Sequence, residues 1–121
     1  MQNNKIHHSF GFAFTGIVHA FKDNRNIRIH TIIAILVLLA SFLLGLTKSE
    51  KIIVFLVIVL VIVSEMINTA IEEMIDLITN EHREEAKRAK DAAAGMVLVT
   101  SIGALIVGIV IFAPYIFVLL R

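Results

Sequence analysis

The sequence predicts an all-α integral membrane protein, with an N-terminal amphipathic helix in the membrane interface followed by three transmembrane helices. Three observations carry that expectation. Of 121 residues, 58% are hydrophobic and 17% charged, with a mean hydropathy of +0.88, too apolar for a soluble domain of this size. The apolar residues gather into three long blocks, as bilayer spans require. Ahead of them, Phe10, Phe14, Ile17 and Phe21 recur at helical spacing. One compact membrane domain, residues 1–121, accounts for the whole chain.

The interfacial helix is expected over about 8–28. Its apolar stripe leaves His19, Lys22 and Arg25 elsewhere on the wheel, which suits a helix lying in the headgroup plane. A surface helix packed on the bundle reads the same way. The first span, about 31–47, has roughly 17 residues and sits at the short end for crossing. The second, about 52–79, would be roughly 40 Å long as one helix, so its C-terminal turns should emerge beyond the hydrocarbon. The third, about 92–113, should end at Pro114, because proline removes a helix hydrogen bond. Residues 1–9 are polar and no cleavage pattern follows Phe10–Phe21, so no signal peptide is expected.

Net charge is +1, which argues against binding nucleic acid or other polyanions. The absence of cysteine excludes disulfides, thiolate catalysis and cysteine metal sites. The distribution of basic residues gives orientation. Lys5, Lys22, Arg25 and Arg28 precede the first span, and Arg83, Lys87, Arg88 and Lys90 lie between the second and third. The opposite side has only Lys48, Lys51 and Arg121. The positive-inside rule therefore makes the N-terminus and the 80–90 loop cytoplasmic.

The second span carries Glu65, Asn68, Glu72, Glu73 and Asp76, although a carboxylate at lipid depth is costly. With Glu65 at zero on a wheel, Asn68 falls near about −60°, Glu72 near about −20° and Asp76 near about +20°. These four make one polar face, and Glu73 stands off it as a solvated or interfacial charge. Glu65 lies two turns, roughly 10 Å, deeper than Glu72. A deep, desolvated carboxylate suits a proton acceptor near neutrality. The shallower Glu72 suits a hard cation such as Mg²⁺, which takes one or two carboxylates with phosphates and water. Interhelical hydrogen bonding in an oligomer accounts for a polar stripe too. So does a proton-coupled transporter.

After the loop, Lys90 and Asp91 open the third span and Ala92–Gly95 follow. Small residues let helices approach closely, which should bring Lys90 and Asp91 against the turns of Glu72 and Asp76. A lysine there can neutralise a phosphate, and an aspartate can cap the helix or bind polar ligand groups. The remaining loop charges read as solvated ion pairs, with Glu81 a candidate exception. Neither glycine-rich phosphate loop occurs, so a nucleotide would bind without one. None of the five histidines has metal-ligand spacing with a partner. His7 and His8 fall in a polar tail, His30 borders the first span and His82 reads as solvated.

The stretches "EMINTAIEEMIDLIT" (65–79) and "AKDAAAGMVLV" (89–99) resemble the two motifs of the prokaryotic diacylglycerol kinase family. The resemblance covers nearly the whole chain, and "RNIRIH" (25–30) with "SFGFAFTGI" (9–17) is similar to its Gram-positive branch, which acts mainly as undecaprenol kinase. It implies a homotrimer in the bacterial cytoplasmic membrane that phosphorylates a lipid alcohol with ATP and Mg²⁺. Undecaprenol is the first acceptor implied and diacylglycerol the second. By the same resemblance Glu65 matches the catalytic general base and Asn68 a neighbour that positions substrate. Glu72 matches a metal and nucleotide ligand, and Asp76 a supporting acid. Lys90, Asp91 and Glu81 match nucleotide contacts. Two positions depart from the pattern. Asn24 stands where the family usually has a metal-binding glutamate, and Phe12 where a nucleotide-side tyrosine is common.

Overall fold

The computed structural model describes residues 2–79, 81 and 83–121, with side chains from residue 8 onward. The side chains of Lys5, His7 and His82, considered above, lie outside that set. Four helices follow in order: α1 (Gln2–Asp23), α2 (Arg25–Leu43), α3 (Lys48–Ile78) and α4 (Glu84–Leu119). There is no strand among the described residues. By length and composition α2, α3 and α4 can each cross a membrane.

Each boundary has a local cause. Asn24 separates α1 from α2: extended at φ −99°, ψ 114°, it caps α2 through Oδ1, which accepts from the backbone N–H of Asn26 (2.7 Å) and Ile27 (3.3 Å). The helix expected over 8–28 therefore stops at Asp23, and Arg25–Arg28 belong to α2. The α2–α3 turn is closed by Gly45 at φ +68°, the left-handed conformation that glycine adopts without a Cβ penalty. The Leu46 N–H donates to the Ser41 carbonyl (3.1 Å) and the Gly45 N–H to that of Phe42 (3.2 Å), a Schellman pairing. Leu46 is buried beneath it. Thr47 then caps α3 reciprocally with Glu50, whose Oε2 accepts from the Thr47 N–H (2.8 Å) and hydroxyl (2.6 Å).

Pro114 does not end the last helix; α4 continues through it to Leu119. Proline forfeits one hydrogen bond, but leaving the helix would strand every following backbone group in an apolar medium. Helical bonding resumes beyond it, with Leu120 donating to Ile116 (3.1 Å). The Tyr115 hydroxyl also donates to Glu50 Oε2 (2.6 Å), tying this end of α4 to the start of α3.

α3 is the centre of the molecule. It packs most extensively against α4 and next against α2, and α1 touches α2. The buried positions of α2 are Ile27, Ala34 and Ser41, spaced by seven, and those of α3 are Val54, Val61, Ser64, Glu65 and Asn68, of which Val54, Val61 and Asn68 keep the same spacing. Such a repeat keeps one seam of each helix on its neighbour. Between α3 and α4 the Ser64 and Thr100 hydroxyls meet at 2.9 Å. The apolar face of α1 is turned away from this chain's own bundle, with Phe10 and Phe14 about 70% exposed, as a helix in the interface requires.

Candidate functional site

The polar stripe read on α3 is real and is graded along the helix. Glu65 is 2% exposed and Asn68 6%, Glu72 is half-buried, and Asp76 is exposed. Glu73 stands off the stripe, exposed, with its carboxylate 3.8 Å from His19 of α1. His19 in turn lies 2.9 Å from Asp23 of its own helix, so the exposed ring sits between acidic side chains of α1 and α3.

Within the stripe the side chains are linked. Asn68 Nδ2 donates to Glu72 Oε1 (3.0 Å), one helical turn further on. Thr69 bonds back to the Glu65 carbonyl (2.9 Å) and accepts from Asn24 Nδ2. Asn24 thus uses one side-chain atom to start α2 and another to hold α3. Its carboxamide oxygen is already taken by two backbone donors, so in this arrangement it serves as a cap, not as a free metal ligand. Lys90 Nζ pairs with Asp76 Oδ1, which brings this turn of α4 onto the stripe as the small residues of Ala92–Gly95 predict for Lys90, while the neighbouring Asp91 is exposed.

Two atoms are left over. Glu65 Oε2 and Asn68 Oδ1 are buried with no hydrogen-bond partner among the described residues. An unsatisfied buried acceptor costs about 1–3 kcal/mol, more for a charged group. Both acceptors lie on the same face, three residues apart, and together they ask for a donor from outside the chain.

One contributor was missed in the sequence. His30 of α2 places Nε2 3.6 Å from Glu65 Oε1, with a quarter of its side chain exposed. It also lines an apolar groove of about 590 Å³ bounded by α2, α3 and α4, where Ser101 is the only other polar lining residue among the described residues. The signal was its register: His30 falls three residues after Ile27 and four before Ala34, on the face of α2 that packs.

Three expected residues are not assembled within one chain. Phe12 is 73% exposed on α1, near the ring of His8. Asp91 is exposed, and Glu81 pairs with Arg83 (3.0 Å). Among the described residues no cluster of three metal-ligating acids or histidines occurs.

Against known proteins, residues 11–112 match the family model described as prokaryotic diacylglycerol kinase. An undecaprenol kinase of Bacillus subtilis is 42% identical over 111 residues, which is 92% of this chain and 90% of that protein. A diacylglycerol kinase of Synechocystis is 41% identical over 107 residues, 88% of this chain and 61% of that one. A third relative, a diacylglycerol kinase of Haemophilus influenzae, is 34% identical over 99 residues, 82% of this chain and 81% of its own.

Proposed function

Since the chain belongs to the prokaryotic diacylglycerol kinase family and is an ATP-dependent membrane lipid kinase, we propose that its acceptor is undecaprenol, phosphorylated to undecaprenyl phosphate. The observation that carries the site is the buried pair of unpartnered acceptors, Glu65 Oε2 and Asn68 Oδ1. A lipid hydroxyl presented at the interface is the kind of donor they lack. The groove that begins at His30 offers the acceptor's chain an apolar track beside the carboxylate.

In the reaction the lipid oxygen attacks the γ-phosphorus, its proton passes to Glu65 Oε2, and the bond to the leaving ADP oxygen breaks. Such a transfer is governed by positioning and electrostatics more than by covalent chemistry with the protein. Asn68 fixes the inner end of Glu72 and faces the hydroxyl. Lys90, held at the mouth of the stripe by Asp76, offers a positive charge to the phosphates, and Asp91 and Glu81 supply further polar contacts. Phe12 flanks the nucleotide.

Mg²⁺ fits the donor set in a lean form. Glu72 spends Oε1 on Asn68 and has no hydrogen bond to Oε2 among the described residues, which leaves one carboxylate oxygen. One or two carboxylates with phosphates and water are what this ion usually takes. Glu72 would hold it, and the bound ion would neutralise charge on the phosphate oxygens.

A homotrimer completes the site in this reading. α4 buries only Ala93, and Phe12, Asp91 and Glu81 stand away from their expected ligand within one chain. Neighbouring subunits would bring such residues to a shared site. The test is purified protein in micelles with Mg·ATP and either undecaprenol or diacylglycerol, following the terminal phosphate into lipid. Faster labelling of undecaprenol is expected. Preference for diacylglycerol would overturn the acceptor, and flux of a solute without ATP turnover would favour a transporter instead.

A further inference from the structure

His30 sits in the seam of α2, where Ile27 and Ala34 on either side are buried and apolar. A polar ring in such a seam needs a partner. Among the described residues its one polar contact is Glu65 Oε1, 3.6 Å from Nε2. The other carboxylate oxygen, Oε2, has none. The two oxygens of Glu65 are therefore not equivalent: one faces the imidazole and the other is vacant. The imidazole also forms the polar head of the apolar groove.

We propose that His30 is a positioning residue for the transfer, holding Glu65 Oε1 so that Oε2 stays directed at the acceptor hydroxyl. The inference rests on the kinase reading above and deepens it. At 3.6 Å the contact is longer than a hydrogen bond, and contacts of this kind often tighten when substrate fills a catalytic site. Without the imidazole the carboxylate can rotate, and the geometry of proton transfer is lost while the residue itself remains. The effect belongs on kcat more than on KM for ATP, because His30 faces the lipid groove and not the Asp76–Lys90 end.

Two variants separate positioning from packing. His30→Leu keeps the volume and suits the apolar seam, so a purely structural role predicts a folded protein of nearly unchanged turnover. Positioning predicts a folded oligomer whose kcat falls by at least about tenfold, the scale on which losing an orienting partner acts. His30→Gln, which restores a side-chain N–H donor, should recover a large part of that loss. KM for ATP should move less than about twofold in both. His30→Leu with wild-type kcat, or His30→Gln no better than His30→Leu, overturns the proposal.

A measurement without turnover guards against failure of the kinase reading itself. In a thermal double-mutant cycle, His30→Leu and Glu65→Leu should shift Tm non-additively, because each removes the same contact. Strictly additive shifts overturn the contact whether or not lipid is labelled. Coupled shifts with no labelled lipid would instead uphold the His30–Glu65 contact and sink the kinase reading.

Discussion

Glu65 carries its cost at the residue scale: one buried oxygen has no hydrogen-bond partner among the described residues, and the proposed general-base role would give that oxygen a proton to accept. Glu65→Gln keeps the volume and removes the proton acceptor. We expect kcat to drop by about 10²–10⁴-fold, the usual range for a general base, with the elution volume in size-exclusion chromatography unchanged. Retention of most of the rate would remove Glu65 from that role. Asn24 gives a second test, because it joins the cap of α2 to Thr69 of α3. Asn24→Ala should destabilise by about 1 kcal/mol through the lost cap. Asn24→Glu sets charge against capping: higher turnover at limiting Mg²⁺ with a lower Tm is expected if this position lacks a ligand. An unchanged Mg²⁺ requirement would mean that Glu72 and phosphates suffice. The shared face of Glu65 and Glu72 and their difference in burial were legible in the sequence because a helical wheel converts spacing into a face and depth. The capping role of Asn24 was not, since it depends on where the chain breaks. His30 was hidden for a related reason: one polar residue beside an apolar span shows no pattern until the packing face of α2 is known.

Elements were more legible than their ends. Long apolar blocks located α2, α3 and α4 because bilayer thickness sets a minimum length, and no comparable rule sets a maximum. The helices accordingly extend past the blocks, α4 beginning at Glu84 well before the expected start at 92 and running on past Pro114. Charged residues of the loop join the helix because its exposed early turns can be solvated there. Of the two sharp boundaries, at Asn24 and at the Gly45 turn, the second rests on backbone conformation. A Cβ built at Gly45 meets nothing within 4 Å, so substitution there costs backbone conformation and not collision. Gly45→Ala should therefore destabilise by about 1–2 kcal/mol through φ alone, without disturbing the site at the far end of α3. A lowered Tm with unchanged kcat is expected. A fall in kcat at full Tm would mean that the turn communicates with Glu65, which nothing in the packing predicts.

Across the whole molecule, the two ends of α3 divide the labour. One holds the Thr47–Glu50–Tyr115 cluster that ties α3 to α4, and the other holds the graded stripe from Glu65 to Asp76. Three spans put the N-terminus and the 80–90 segment on one side, and the basic residues concentrate there. ATP is a cytoplasmic substrate, so the same side must carry the stripe's open end if the kinase chemistry is right. Two independent physical demands, charge asymmetry and nucleotide access, thus agree on the orientation we propose. The sequence contains no cysteine, which makes that orientation directly measurable with single introduced thiols. Ser49→Cys, in the first turn of α3, should react with a membrane-impermeant maleimide in intact cells. Glu84→Cys, at the start of α4, should react only after the membrane is opened. Both positions are exposed, so a lack of reaction in intact cells reports sidedness and not burial. The reverse labelling pattern would place the carboxylate stripe outside the cell, away from ATP, and would overturn the proposed orientation together with the assignment of Glu72 and Lys90 to the nucleotide.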